Sequence, residues 1–349
     1  MNLRYLVLVL WIGFSCGKDN STPVTPPPAP SEATFRNPIQ NGADPFVYRK
    51  DGQYYYMQTV GNRVDLWRTE KMSELNSARR TTIFTPPATG ANSRNLWAPE
   101  IYFLNGKWYV YYTAGSDTEE YSQRTWVLEN ASADPTQGTW TQKGRLFNAE
   151  NDNYALDGNI LEHNGSLYFL WSGWPKGVNK VERQEIYISK MENPWTLTGK
   201  TTLLTTPELN WERNGFGVNE GPQVLKNPQG RVFMIYSASY CGTDDYALGM
   251  LSLREGGDPL NAADWTKTQQ PVFTKSPSAN AFGPGHNCFF QSPNGSENWL
   301  LYHANTNTGE GCGEKRNIRM QPFTFTSSGL PQFGEPVATG RLIAVPAGE

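Results

Sequence analysis

The hydrophobic positions of this chain fall into short runs that come in pairs. An apolar segment, "DPFVYR", is followed across a polar turn by a longer aromatic one, "KDGQYYYMQT". The same couple returns as "PEIYFL" with "LNGKWYVYYTA", "GNILEH" with "HNGSLYFLWSG", "PQVLKN" with "PQGRVFMIYSA", and "NCFFQS" with "NGSENWLLYHA". Asp-Gly and Asn-Gly between apolar runs mark tight hairpin turns. Runs of this length and content predict strands, and long amphipathic helical periods are absent. The copies lie roughly 55 to 65 residues apart, enough for a four-stranded antiparallel sheet with its loops. Five such sheets over residues 34–349 predict an all-β fold, a five-bladed β-propeller of four-stranded antiparallel blades around a central axis. A sandwich or a β-helix has similar turn density, but neither repeats whole hairpins at so long a spacing.

Each repeat opens on a turn that carries a polar side chain: "GADPF" with Asp44, "WAPEI" with Glu100, "ALDGN" with Asp157, "NEGPQ" with Glu220 and "GPGHN" with His286. In a propeller the innermost strands all start at one face, around the axis. These five residues are therefore expected to converge although they are far apart in sequence. Carboxylates gathered in an aromatic-lined funnel suit hydrolysis of a glycosidic bond, which needs one carboxylic acid to protonate the leaving oxygen and a second carboxylate on the other face of the sugar. Crowded acids raise one another's pKa, which keeps a proton on one of them near neutral pH.

The first residues read differently from the rest. "MNLRYLVLVLWIGFSCGKDN" has a basic residue, an apolar run from Tyr5 to Phe14, and then Ser15-Cys16. The run is too short to span a bilayer and has the make-up of a secretory signal peptide, assigned to residues 1–16. A small residue before Cys resembles a bacterial lipoprotein cleavage site with Cys16 as the lipidated residue, although Gly13 stands where an aliphatic residue is usual. Residues 17–33 are polar and Pro-rich, a tether that cannot pack a core. An exported protein follows, held as a periplasmic or cell-surface lipoprotein by Cys16 or else secreted.

Composition sharpens the ligand class. Aromatics reach 13%, with 12 Trp and 17 Tyr, while charged residues are 18% and the net charge is −3. No basic block marks a nucleic-acid surface. The three His show no metal-ligand spacing, and the four Cys form no CxxC pair. Cys241 and Cys312 follow equivalent strands of adjacent repeats and are a candidate disulfide in an oxidising compartment, with Cys288 buried and free, though three Cys allow three pairings. Trp97 borders a pocket-facing turn and is a candidate for stacking on a sugar, with Trp171 and Trp174 as further walls. Glu100 belongs either at the pocket rim or as a cap on its turn, and His163 and His303 read as structural. No oligomer signal is present, so a monomer is expected.

From about Phe35 to Glu349 the chain resembles glycoside hydrolase family 43. The likeness is carried, in order, by "NPIQNGADPFVYRKDGQYYYMQT", "LWAPEIYFLNGKWYVYYTA", "ALDGNILEHNGSLYFLWSGW", "VNEGPQVL", "GPGHNCFFQSPNG" and "LLYHA". The resemblance implies a five-bladed propeller that hydrolyses glycosides with inversion. It implies Asp44 as general base, Asp157 as pKa modulator and Glu220 as general acid, with base and acid about 6.5–9.5 Å apart. It also implies a possible structural calcium near His286, no cofactor for the chemistry itself, and a late-blade arginine at the sugar site, Arg319, with Arg316 as its rival. Among the family's activities, release of terminal α-L-arabinofuranosyl residues from plant cell-wall glycans is the expected one, ahead of β-D-xylosidase and endo-arabinanase. A propeller that binds carbohydrate without cleaving it would have let its carboxylates drift, and all three acid positions hold acids.

Overall fold

The computed structural model describes residues 33–178 and 183–349. The expected signal segment with Cys16, and the tether apart from Ala33, lie outside the described residues.

Four antiparallel strands form each blade. Blade I comprises Phe46–Lys50, Gln53–Met57, Val64–Thr69 and Arg79–Phe84. Blade II comprises Arg94–Leu104, Lys107–Gly115, Arg124–Asn130 and Thr141–Leu146. Blade III comprises Ala155–His163, Ser166–Gly173, Arg183–Asn193 and Thr196–Thr205, and blade IV Gly217–Lys226, Val232–Ala238, Ala247–Leu253 and Trp265–Lys267. Blade V has Phe282–Gln291, Asn298–Asn305 and Asn317–Phe325, and takes Gln40–Asn41 from the start of the fold against its third strand. The first strands touch in cyclic order, the one in blade V meeting the one in blade I. The ring is closed, and its seam is stitched by that borrowed strand and by pairing of Thr34–Phe35 with Ile343–Ala344.

The continuous apolar runs of the second strands have a physical reason. Blades pack face to face, so a central strand is buried on both sides and has no solvent face to alternate with. In "RVFMIYSA", Val232, Met234, Tyr236 and Ala238 pack toward blade III with Leu170 and Ile188. The intervening Phe233 and Ile235 pack toward blade V with Leu300 and Tyr302. One strand thus contributes to two interfaces.

At the mouth of blades II to V the first strand carries an extra residue. Relative to the second strand, three residues oppose two between Trp97 and Glu100, Leu156 and Asn159, Glu220 and Gln223, and Gly285 and Cys288. The bulge places Ala98 (φ 41°), Asp157 (57°), Gly221 (54°) and His286 (45°) in the left-handed backbone region, and Asp44 (57°), just before blade I's first strand, adopts the same conformation. Such bulges bend a strand and re-aim side chains. They also correct one expectation. Glu100 is not the blade II counterpart of Asp44 and Asp157; Ala98 is, and Glu100 lies two residues further along the strand.

Candidate active site

The five left-handed residues are tied to one another around the axis. In four blades their backbone N–H donates to a side chain on, or two residues past, the preceding blade's second strand. Ala98 N donates to Thr59 Oγ1 at 2.8 Å, Asp157 N to Thr113 Oγ1 at 3.3 Å, His286 N to Ser237 Oγ at 2.7 Å, and Asp44 N to His303 Nδ1 at 3.1 Å. At the remaining position Gly221 N donates to the carboxylate of Asp157, at 3.0 Å. The hydrogen-bonded ring that closes the propeller is therefore the one that holds its acids.

Above this ring a cavity of about 490 Å³ is lined by Asp44, Asp157 and Glu220 together with Trp97, Tyr154 and Trp174. Its size suits a small ligand. Trp174 stacks on Tyr154 with ring centroids 4.4 Å apart, so the two rings form one wall. The disulfide of Cys241 with Cys312 (Cα atoms 5.1 Å apart) borders the same cavity and joins the loops after blade IV's second strand and before blade V's third. Cys288 is buried and free.

The three acids have different surroundings. Asp44 accepts from Thr59 Oγ1 at 2.6 Å and from the Arg316 guanidinium at 3.2 Å, with His286 Nδ1 3.4 Å away. Burial would raise its pKa, but the opposing charges, led by the Arg316 guanidinium, outweigh that and hold the carboxyl well below the ordinary range. Burial also keeps both imidazoles neutral, depressing His286 and pushing His303 down to about 4. That agrees with His303 Nδ1 accepting the Asp44 N–H, which leaves the ring proton on Nε2. Arg316 is accordingly the standing positive charge beside Asp44.

Asp157 and Glu220 shift the other way. Burial, then repulsion from Glu220 and Asp44, raises Asp157 well above a normal carboxyl. Burial pushes Glu220 up to about 7, with Asp44 adding to the rise and the hydrogen bond from Tyr246 opposing it. Tyr246 OH donates to Glu220 Oε1 at 2.9 Å. Its ring crosses directly over Gly285, where an added Cβ would stand 2.2 Å from Tyr246 Cε1. The glycine of "GPGHN" gives the tyrosine its path to Glu220. One site thus holds an ionised carboxylate and a pair of carboxyls that retain a proton, the combination that acid–base hydrolysis of a glycoside requires.

Residues 35–331 match the family described as glycosyl hydrolases family 43. The chain belongs to glycosyl hydrolase family 43. It is 40% identical over 323 residues to an extracellular exo-α-(1→5)-L-arabinofuranosidase of Streptomyces avermitilis, covering 90% of this chain and 66% of that protein. A protein of the same description from Streptomyces chartreusis is 39% identical over 281 residues, covering 79% of this chain and 84% of that one. Among solved structures, the α-L-arabinofuranosidase of Lactobacillus brevis superposes with a TM-score of 0.82 at 35% identity, over 88% of this chain and 98% of that one. This family 43 chain is a glycosidase on a propeller scaffold, and the family's chemistry calls for no cofactor.

Against that frame the other expected site residues divide. Trp97 and Trp174 line the cavity. Trp171 does not: it lies inside blade III's second strand, between Phe169 and Tyr187 at 5.7 and 5.6 Å, whereas Trp174 sits past the strand end. Arg319 is likewise inside a strand, fully buried, and bonds Asn317, Asn305 O and Thr306 rather than facing the cavity. Arg316, three residues earlier and before that strand begins, lines it. Thr59, Tyr154 and Tyr246 were missed by sequence reasoning, and His303 was read only as structural. A signal existed for two of them. "QT", "YTA", "WSG", "YSA" and "YHA" end the five second strands, placing Thr59, Thr113, Ser172, Ser237 and His303 at one repeat position.

Below the ring, Glu100 meets Asn159 Nδ2 at 2.9 Å and also bonds Tyr102 and Gln223, tying blades II, III and IV together. Burial raises its carboxyl to about 8, against the pull of those three hydrogen bonds. Among the described residues, no group of three or more His, Cys, Asp or Glu is arranged to hold a metal ion.

Proposed function

We propose that this family 43 glycosidase releases terminal α-L-arabinofuranosyl residues from arabinose-containing plant glycans, with inversion at the anomeric carbon. The observation that carries the reading is the division of the acids: Asp44 kept ionised beside Arg316, and Glu220 kept near neutrality by burial. In the reaction Asp44 takes a proton from water as its oxygen attacks the anomeric carbon. Glu220 gives its proton to the glycosidic oxygen as that bond breaks. Asp157 is the residue that positions the acid, since it accepts a bond from Gly221 N and so fixes the backbone next to Glu220, while the charge of Asp44 favours the protonated acid. Trp97 and the Tyr154–Trp174 wall offer apolar faces to the sugar's C–H groups. The relatives named as arabinofuranosidases support the choice of sugar.

A calcium ion near His286 would take most of its ligands from water. His286 and the already bonded Asp44 offer few of the about six to eight oxygens calcium requires, and no step above uses an ion. Export agrees with the extracellular relatives. Monomeric action at the cell surface through a lipidated Cys16 belongs to the same proposal, and fatty-acid labelling of the mature protein tests the anchor.

The experiment is a time-resolved NMR assay on α-1,5-linked arabino-oligosaccharides. The first-formed arabinose is expected as the β-anomer, and Glu220→Gln is expected to lower turnover by at least about a hundredfold. Release of xylose from β-xylosides without arabinose release would overturn the choice of sugar. α-Arabinose as the first product would overturn inversion.

A further inference from the structure

We propose that the Cys241–Cys312 disulfide is a positioning element of the acid–base pair: it holds the exposed loop that aims the Arg316 guanidinium at Asp44. This deepens the glycosidase reading and rests on Asp44 acting as the base.

The first observation is a repeat. In blades IV and V the second and third strands are joined by "SYCGTDDY" (239–246) and "TNTGEGCGEKR" (306–316). Each loop carries Cys-Gly and ends, directly before the third strand, on a residue that touches an acid. Tyr246 precedes Ala247–Leu253 and donates to Glu220 Oε1 at 2.9 Å. Arg316 precedes Asn317–Phe325 and donates from Nη1 to Asp44 Oδ1 at 3.2 Å. The disulfide therefore ties the loop that serves the acid to the loop that serves the base, at the wall of their shared cavity.

The two ends of that tie are unequal. Tyr246 is buried and its ring stacks on His303 at 5.7 Å, so blade packing fixes the acid's loop. In the other loop residues 307–309 and 313–315 are exposed, so apolar burial does not place them. Its hydrogen bonds to blade IV run from Thr308 and Gly309 to Asp244, in solvent, where such bonds contribute little. Arg319 and Asn305, both buried, secure its first part through Thr306 and Gly311, and Gly42 N secures its end at Arg316 O. Between these points the guanidinium is guided by Gly313, whose carbonyl accepts from Arg316 Nε at 3.3 Å and which follows Cys312 directly in the chain. The disulfide fixes Cys312, hence that carbonyl, hence the direction of Nη1.

Attraction between charges falls as they separate, so a guanidinium that swings outward holds Asp44 less firmly as an anion. The other titratable groups facing Asp44 are His286, His303, Tyr56, Tyr246, Asp157 and Glu220. Only Tyr246 belongs to a tied loop, and burial keeps it neutral and in place.

The test is the pH profile of kcat/KM on p-nitrophenyl α-L-arabinofuranoside for the Cys241→Ser, Cys312→Ser double variant. Its acid limb is expected about one pH unit above that of the unsubstituted protein, because Arg316 no longer holds Asp44 as firmly. The unsubstituted protein kept in dithiothreitol gives the same comparison should the variant fail to fold. In an Arg316→Met background, removing the disulfide is expected to leave the acid limb where that substitution alone puts it. An acid limb that stays in place when the disulfide is lost, even with activity or stability reduced, overturns the proposal. So does a shift of equal size in the Arg316→Met background. If the unsubstituted protein cleaves no arabinofuranoside, the sugar assignment fails. Carbon-13 NMR titration of the Asp44 carboxyl, identified by its loss in Asp44→Asn, then decides the disulfide's role by the same rule.

Discussion

At the scale of single residues, the site separates three carboxyls by what touches them. Asp44 keeps its charge despite burial because Arg316 and Thr59 face its two oxygens. Glu220 keeps its proton because one tyrosine hydroxyl does not compensate for lost solvation. The pH dependence follows with a definite sign. The base must be ionised, so activity falls on the acid side only well below the usual carboxylate range. The acid must be protonated, so activity falls on the alkaline side as pH rises through about 7. A kcat/KM profile is expected to be bell-shaped, its limbs reporting the coupled carboxyls as a set. Arg316→Met removes the cation beside Asp44 and is expected to move the acid limb upward, and the alkaline limb upward with it because the same cation also lowers Glu220. An unmoved acid limb would show that Arg316 does not hold Asp44 ionised.

At the scale of elements, the repeated bulge is what turns a strand into a site. It lets consecutive blades exchange a backbone-to-side-chain bond at their mouths and brings residues from separate blades to one face. Thr113 illustrates the coupling, since its hydroxyl accepts the N–H of Asp157. Thr113→Val would leave that buried donor unmatched, at a cost of about 1–3 kcal/mol. Urea denaturation should show a lower midpoint with an unchanged slope, and a midpoint equal to that of the unsubstituted protein would refute the bond's role. The hairpins themselves were readable in the sequence, because Asp-Gly and Asn-Gly turns and aromatic runs are local signals. The bulge was not: "WAPEI" aligns Glu100 with the other acids by eye, and only the two-against-three register moves it inward. Trp171 and Arg319 were misplaced for the same reason, since one or two residues along a strand exchange the cavity for the space between blades.

At the scale of the whole molecule, burial between blades and closure around the axis act together. Glu100 sits where three blades meet, and its carboxyl is raised by burial to about 8. A carboxyl raised on folding binds more protons in the folded state than in the unfolded one, so its contribution to stability falls as pH increases. Folding stability is therefore expected to decline between about pH 4.5 and about pH 8, with Asp157 and Glu220 contributing in the same direction. Glu100→Gln should make that decline shallower in denaturation curves taken across the range. An equally steep decline in the variant would mean that Glu100 does not change its proton binding on folding.

Strand identity, blade count, and the candidacy of Asp44, Asp157 and Glu220 were determined by the sequence alone. Turn dipeptides, apolar runs and a recurring acid at a turn all act over a few residues. Which arginine meets the base, which tryptophan walls the cavity, and that Tyr246 reaches the acid across a glycine were decided by tertiary structure. Those contacts join residues from different blades, and closure of the ring selects which side chains face the axis.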